Sequence, residues 1–182
     1  MATIVLHTPI LMELKLVIVT INSMALENEE NNDNPGVKIP PPVIFLGFGL
    51  FGIAIHYLIP LTIIGPSWLV YLGVLILIAS FIGFGYMINF YKKNETEIEP
   101  TKSTSKIITS GLYKYSRNPV YIISCAGPIG LGFIFLTYWA MFAFIPALIV
   151  VYFSAVKKEE KYLAKKFGQE YLDYKKKVRR WL

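Results

Sequence analysis

The sequence is poor in residues that bind metals or form disulfides. It contains one cysteine and two histidines. Cys125 is the single cysteine and lies inside an apolar stretch, so a disulfide within the chain and a cysteine cluster for a metal are both excluded. His7 and His56 are isolated, and neither has a ligand partner at helical spacing. We therefore expect a protein without a metal site.

Charge is also missing over long stretches of the chain. No Asp, Glu, Lys or Arg occurs in residues 39–91 or in residues 118–156, whereas a helix needs only about 20 apolar residues to cross a bilayer. The composition is 54% hydrophobic, and the mean hydropathy is +0.50. Because the apolar residues come in blocks rather than in amphipathic alternation, they indicate an integral membrane protein.

Each charge-free stretch divides into two spans. The breaks, at residues 64–68 and 137–139, carry Trp or Tyr and no charge, which is typical of short turns at a membrane interface. The sequence thus predicts an all-α, polytopic membrane helical bundle with four spans, at residues 43–64, 69–91, 120–136 and 140–156. Glycines within the spans would let the helix backbones approach closely, namely Gly47, Gly49, Gly52, Gly83, Gly85, Gly127, Gly130 and Gly132.

The net charge of +6 is distributed as a membrane topology signal. Of the 18 Lys and Arg residues, six lie in residues 92–117 and ten in residues 157–180. Both segments abut spans, as in the positive-inside pattern of cytoplasmic loops, and both suit anionic lipid headgroups. We therefore expect both segments on the cytoplasmic side, with membrane lipids rather than nucleic acid as their partners.

The two ends of the chain differ from its centre. Residues 1–42 are predicted to be an N-terminal extension, and residues 43–182 the membrane domain. Within the extension, residues 3–26 are apolar but carry Glu13 and Lys15, so they are a fifth span or an interfacial helix, followed by an acidic linker. A further alternative is that residues 1–23 are not native, since Met24 would also serve as a start.

The tail from Lys157 is amphipathic, with lysines on its other face. This pattern predicts an interfacial helix on the headgroup surface, broken at Gly168. Its apolar face consists of Leu163, Phe167, Tyr171, Tyr174, Val178 and Trp181.

The loop before the third span carries the first set of candidate residues. Arg117 directly precedes a helix start at Asn118 and Pro119, where a proline is favoured. Free backbone N–H groups at such a start, together with Arg117, would bind an anion such as a carboxylate. The alternative is that Arg117 is a positive-inside anchor and Asn118 a helix cap.

Glu159 and Glu160 follow the last span. Negative charge at the end of a helix, among positive-inside lysines, is atypical and suggests a cationic ligand. The alternative is a solvated surface pair matched by the neighbouring Lys157, Lys158 and Lys161, which would contribute only about 0–1 kcal/mol.

Taken in order, these motifs resemble those of a known superfamily. Residues 111–121 read Gly-Leu-Tyr-x-Tyr-Ser-Arg-Asn-Pro-x-Tyr. After two spans, residues 159–174 read Glu-Glu-x-Tyr-Leu-x-x-x-Phe-Gly-x-Glu-Tyr-x-x-Tyr. The order and spacing resemble the isoprenylcysteine carboxyl methyltransferase and phospholipid N-methyltransferase superfamily, from about Asp33 to Leu182.

The resemblance implies a membrane methyltransferase that uses S-adenosyl-L-methionine, held between the last two spans and capped by the C-terminal helix. Matching motif to motif, the cofactor contacts fall on Ser105, Lys106, Ile107, Ile108, Tyr113, Asn118, Pro119, Val120, Tyr121 and Glu159. Methyl transfer from a sulfonium needs alignment and exclusion of water rather than a nucleophilic residue. Arg117, or a nearby tyrosine, is the candidate catalytic residue that orients the acceptor.

Two positions depart from the superfamily pattern. Asn118 stands where many relatives have His, and both side chains can form hydrogen bonds. Ala155 stands where relatives that act on prenylcysteine carboxylates have Arg, so an amine, a thiol or another lipophilic or membrane-associated acceptor remains open. The alternatives to this reading are an NADPH-dependent enzyme similar to sterol reductases and a non-enzymatic membrane accessory protein.

Overall fold

The computed structural model describes residues 35–94 and 106–182, and in these ranges every regular element is helical. The helices are α1 (Pro41–Leu58), α2 (Trp68–Lys93), α3 (Pro119–Ile134), α4 (Tyr138–Phe142), α5 (Phe144–Val151), α6 (Lys157–Phe167) and α7 (Gln169–Lys177). A 3₁₀ turn at Gly111–Lys114 precedes α3, and a π-helical turn at Tyr152–Val156 joins α5 to α6. The predicted all-α class is thereby confirmed for these ranges. The predicted N-terminal span or interfacial helix lies outside them.

The predicted count of four spans is only partly confirmed. Three helices in the described ranges are long and apolar enough to cross a membrane: Pro41–Leu58, Trp68–Lys93 and the continuous run Tyr138–Phe167. The fourth, α3, is apolar but has only 16 residues, about 24 Å at a rise of 1.5 Å per residue. It is short because Pro119 begins it and a turn with positive φ at Leu136 follows it.

Prolines explain where the other helix ends differ from the prediction. Helix α1 ends at Leu58 rather than at residue 64, because Ile59 precedes Pro60 and its backbone leaves the helical conformation, with φ −134° and ψ 88°. Helices α4 and α5 are separated because the ring of Pro146 conflicts with continued helix at Phe142, four residues earlier.

The last span does not end at residue 156 but continues through the π-helical turn to Phe167, so the acidic pair is carried on the same helix.

The two turns at the end of the bundle away from the basic segments are joined by backbone hydrogen bonds. The amide of Ile63 donates to the carbonyl of Leu136 at 2.7 Å, and the amide of Tyr138 donates to Leu61 at 3.1 Å. Thr137 is fully buried and accepts a hydrogen bond from the amide of Trp139, so it caps α4. These bonds fix the α1–α2 turn against the α3–α4 turn.

Close helix packing depends on some of the predicted glycines. A methyl group added at Gly52 would lie 2.7 Å from the backbone of Ala140. One added at Gly132 would overlap the backbone of Met141. The close approach is therefore obligatory at these contacts of α4 with α1 and α3. For Gly47, Gly85 and Gly127 the expectation is wrong, because nothing lies within 4 Å of an added methyl group.

The opposite end of the bundle holds the main buried cluster. Ala155 and Val156 of the π-helical turn are fully buried there. They share the cluster with Val37, which precedes α1, and with Phe45 of α1 and Tyr121 of α3. This cluster supports the base of α6, where Glu159 and Glu160 are located.

Candidate active site

A cavity of about 390 Å³ lies beside the buried cluster, within the size range of small-molecule sites of roughly 300–1,000 Å³. Its wall comes from the segment before α1, the basic end of α2, the loop before α3, the start of α3, and helices α6 and α7. The lining residues are Pro35, Pro40, Pro41, Pro42, Phe84, Met87, Ile88, Tyr91, Lys106, Ile107, Ile108, Tyr113, Arg117, Asn118, Val120, Tyr121, Glu159, Glu160, Tyr162, Leu163, Tyr171 and Tyr174.

One wall of the cavity is acidic. Tyr121, near the start of α3, donates a hydrogen bond of 2.5 Å from its hydroxyl to Oε1 of Glu159. Glu159 is half-buried, and no Lys or Arg of residues 35–94 or 106–182 forms a salt bridge with it. A buried carboxylate favours a positive partner, so this wall suits a cationic group of a ligand.

The neighbouring Glu160 has a different environment. Its Oε1 accepts a hydrogen bond of 2.9 Å from Nη1 of Arg117 and one of 2.7 Å from Nε of Arg180. Its Oε2 accepts from Nη2 of Arg180 at 3.1 Å and lies 3.3 Å from Nζ of Lys175. Three cations surround one carboxylate, so this wall keeps an excess of positive charge.

The geometry excludes one of the two alternatives that the sequence leaves open for this pair. Glu160 pairs with residues distant in sequence rather than with the adjacent lysines, and Glu159 bonds to a tyrosine. The interpretation of the two glutamates as a solvated surface pair is therefore wrong. Glu170 and Asp173, in contrast, are exposed on α7.

Arg117 is neither exposed nor fully satisfied. Its side chain is only 9% exposed, and Nη1 makes the contact with Glu160 and a longer one of 3.5 Å to the hydroxyl of Tyr171. Its Nε is buried and has no hydrogen-bond partner among the described residues. The interpretation of Arg117 as only a membrane-border anchor does not account for this burial. An unpaired donor on a cavity-lining guanidinium suits an anionic group of a ligand.

The last residues of the chain hold the loop before α3 in place. We call residues 178–182 the C-terminal strap. The amide of Arg117 donates to the carbonyl of Arg179 at 3.0 Å. The carbonyl of Arg180 accepts from Oγ of Ser116 at 3.2 Å and from Nδ2 of Asn118 at 2.9 Å. Asn118 therefore holds the strap and makes no side-chain cap on α3.

Tyrosines form much of the remaining wall. The hydroxyls of Tyr91 and Tyr113 are 2.5 Å apart, and the hydroxyl of Tyr174 donates to the carbonyl of Tyr113 at 2.8 Å. Burial raises the pKa of Tyr113 well above its ordinary value and that of Tyr174 to about 12. These two phenols therefore stay neutral at physiological pH and act as aromatic walls and hydrogen-bonding groups, not as bases.

The structure brings most of the sequence-predicted site residues to this one cavity. The exceptions are Pro119, which is buried at the start of α3 but does not line the cavity, and Ser105, which lies outside the described residues. Arg117, the candidate catalytic residue, and the following predicted cofactor contacts line it: Lys106, Ile107, Ile108, Tyr113, Asn118, Val120, Tyr121 and Glu159.

Other lining residues were not identified from the sequence. Met87 and Tyr91 lie in a span whose sequence gives no signal beyond apolarity. Tyr171 and Tyr174 were assigned to the apolar face of the tail, and their Tyr-x-x-Tyr spacing was the available signal. The prolines that line the cavity, Pro35, Pro40, Pro41 and Pro42, carry no reactive group that would mark them as site residues. Ala155 is fully buried in the cluster and does not line the cavity, so its side chain offers nothing to a ligand.

More than half of the chain is similar to a known protein family. Residues 61–170, more than half of the chain, match the phospholipid methyltransferase family. The matched range includes the loop before α3, helix α3 and the acidic pair on α6. The chain therefore belongs to the phospholipid methyltransferase family, and it is a multi-pass membrane protein.

A curated relative gives a narrower likeness. The chain is 33% identical over 85 residues to the protein-S-isoprenylcysteine O-methyltransferase of Saccharomyces cerevisiae. The alignment covers 46% of this chain and 36% of that protein, so the chain matches little more than a third of the relative's length. The suspected superfamily is confirmed by the two findings together.

Proposed function

We propose that the protein transfers a methyl group from S-adenosyl-L-methionine to a lipophilic or membrane-associated acceptor at the cytoplasmic face of the membrane. The observation that carries this proposal is the cavity with an acidic wall at Glu159 and a positive wall at Arg117. Membership of a methyltransferase family supports methyl transfer as the reaction.

The residues present fit this cofactor. S-adenosyl-L-methionine carries a sulfonium, an ammonium and a carboxylate, together with an adenine ring. The carboxylate of Glu159 has no cationic partner within the described residues, and the buried Nε of Arg117 has no acceptor there. Glu159 would bind a cationic group of the cofactor, and Nε of Arg117 would bind its carboxylate. The tyrosines and Met87 would pack on the adenine.

The bound cofactor would supply a methyl group that is already activated by its positive sulfur. That methyl group would be transferred to the acceptor's lone pair by in-line displacement, with the neutral thioether as the leaving group. The chain's residues would bind, orient and exclude water. Tyr121 would keep the Glu159 carboxylate in one orientation, and Arg117 would hold the anionic group. No nucleophilic residue of the protein is required.

The acceptor is proposed to enter from the lipid. Phe84, Met87 and Ile88 of α2 line the cavity, and α2 is one of the three candidate spans. An apolar acceptor could therefore reach the cavity at the level of the membrane. Ala155 offers no guanidinium for a prenylcysteine carboxylate, so we propose an acceptor that is not held by an ion pair at this position.

The test is binding of radiolabelled S-adenosyl-L-methionine to detergent-purified protein, with NADPH and unlabelled cofactor as competitors. We expect saturable binding that only the unlabelled S-adenosyl-L-methionine displaces. Displacement by NADPH would favour the reductase alternative, and absence of binding would favour an accessory protein. Transfer of the labelled methyl group into lipid extracts then identifies the acceptor class.

A further inference from the structure

Arg180 does not line the cavity, but it contacts Glu160, which does. Its guanidinium contacts both carboxylate oxygens, with Nε at 2.7 Å from Oε1 and Nη2 at 3.1 Å from Oε2. This is the two-pronged geometry that makes arginine–carboxylate pairs strong. The guanidinium also lies 5.2 Å from the ring centroid of Tyr152, and Glu160 holds the pKa of Arg180 above its ordinary value.

Arg117 makes one hydrogen bond to the Glu160 carboxylate, whereas Arg180 makes two. Arg117 reaches Oε1 through Nη1 alone, at 2.9 Å, and its Nε stays buried without a partner in the described part of the chain. A lone arginine facing a carboxylate would form the two-pronged pair itself. Arg117 is prevented from doing so because Arg180 already occupies both oxygens of Glu160.

We propose that Arg180 is a positioning residue that keeps the Nε–H of Arg117 available to the cofactor's carboxylate. By occupying both oxygens of Glu160, it prevents Glu160 from capturing the Arg117 guanidinium. The C-terminal strap fixes Arg180 for this task, because its backbone carbonyls are bonded to Arg117, Ser116 and Asn118. The inference rests on the proposed function, since it assumes a carboxylate-bearing ligand.

A pair of substitutions tests whether Arg117 and Arg180 compete for the carboxylate of Glu160. Arg180→Ala should weaken binding of radiolabelled S-adenosyl-L-methionine by roughly tenfold, since coupled neighbours interact by amounts of that order. Adding Glu160→Gln to Arg180→Ala should restore most of the lost affinity, because a neutral amide cannot form the two-pronged ion pair with Arg117. A purely structural role of Arg180 predicts the opposite, namely that the second substitution leaves binding equal or worse.

Two further variants complete the experiment. Arg179→Ala removes the same charge from an exposed side chain of the strap, and it should leave the Kd unchanged. Arg180→Lys keeps the charge but loses the planar fork, so it should weaken binding as Arg180→Ala does. Thermal unfolding of the ligand-free proteins verifies that each variant is folded, and Arg180→Lys is the fallback if Arg180→Ala is not.

The outcomes separate this inference from the proposed function. If the wild type binds no S-adenosyl-L-methionine, the proposed function fails and this inference fails with it. If the wild type binds but Glu160→Gln does not rescue Arg180→Ala, only the inference is overturned. Equal weakening by Arg179→Ala would also overturn it, because a general loss of charge would then explain the effect.

Discussion

Replacing Glu159 by Gln tests the acidic wall of the cavity most directly. The change removes a charge but keeps the shape and an oxygen that can still accept the hydrogen bond from Tyr121. No salt bridge to Glu159 exists among residues 35–94 and 106–182, so no ion pair of the described fold is lost. We therefore expect Glu159→Gln to fold and to insert normally.

The expected loss is in ligand affinity. A hydrogen bond to a charged group is worth about 1.5–3 kcal/mol, which corresponds to a Kd raised roughly 10- to 150-fold. The measurement is equilibrium binding of radiolabelled S-adenosyl-L-methionine to detergent-purified protein. The upper part of the range applies if the cofactor's cationic group has no other anionic partner in the cavity.

Asp173→Asn is the matched control. Asp173 is an acidic residue on the exposed face of α7, and its salt bridge to Lys176 at 3.1 Å joins two exposed side chains. Such pairs contribute about 0–1 kcal/mol, and Asp173 does not line the cavity. Its replacement should leave the Kd unchanged. Equal and small effects of the two substitutions would refute the assignment of Glu159 to the ligand.

Three further outcomes are expected. Arg117→Lys keeps the positive charge but loses Nε and the planar fork, so the variant should insert normally and lose about tenfold or more in cofactor affinity; wild-type binding would return Arg117 to a topological role. Cysteines introduced at Lys102 and Lys176, in a Cys125→Ser background, should be labelled from the same, cytoplasmic side, and labelling from opposite sides would contradict a shared site. Gly132→Ala should destabilise the detergent-solubilised protein by about 1–3 kcal/mol in a thermal or denaturant unfolding assay, because the added methyl group meets the Met141 backbone. Gly127→Ala, which meets nothing within 4 Å, should not destabilise it.

The sequence predicted the helical class and most helix ends because both follow from local chemistry. Charge-free stretches, aromatic turns and prolines act over a few residues, so breaks between helices occur close to the predicted turns, between Leu58 and Trp68 and between Ile134 and Tyr138, and at Gly168. The ends of α1 and of the last span were misjudged, because apolarity alone does not show where a helix stops. The positive φ of Leu136, in the turn after α3, has no sequence signal of its own.

The sequence identified only those cavity residues that belong to superfamily motifs. The segments around Tyr113, Arg117, Tyr121 and Glu159 were identified because they match superfamily motifs, and they line one cavity. Tyr91 was missed because a tyrosine at the end of an apolar helix is also an ordinary interfacial anchor. The position of Arg180 was missed because it depends on the fold-back of the C-terminal strap, whose backbone bonds to residues more than sixty positions earlier in the chain.

The opposite environments of Glu159 and Glu160 follow from helix geometry. Successive residues on an α-helix are rotated by about 100°, so two adjacent carboxylates point in different directions. One turns toward Tyr121 on α3, and the other toward Arg117 and the C-terminal strap. A single acidic dipeptide thereby contributes to both the acidic and the positive wall of the cavity. Glu160 contributes to the positive wall indirectly, because three cations surround its carboxylate and their charges together outweigh its own. A ligand with separated positive and negative groups is the natural occupant of such a cavity.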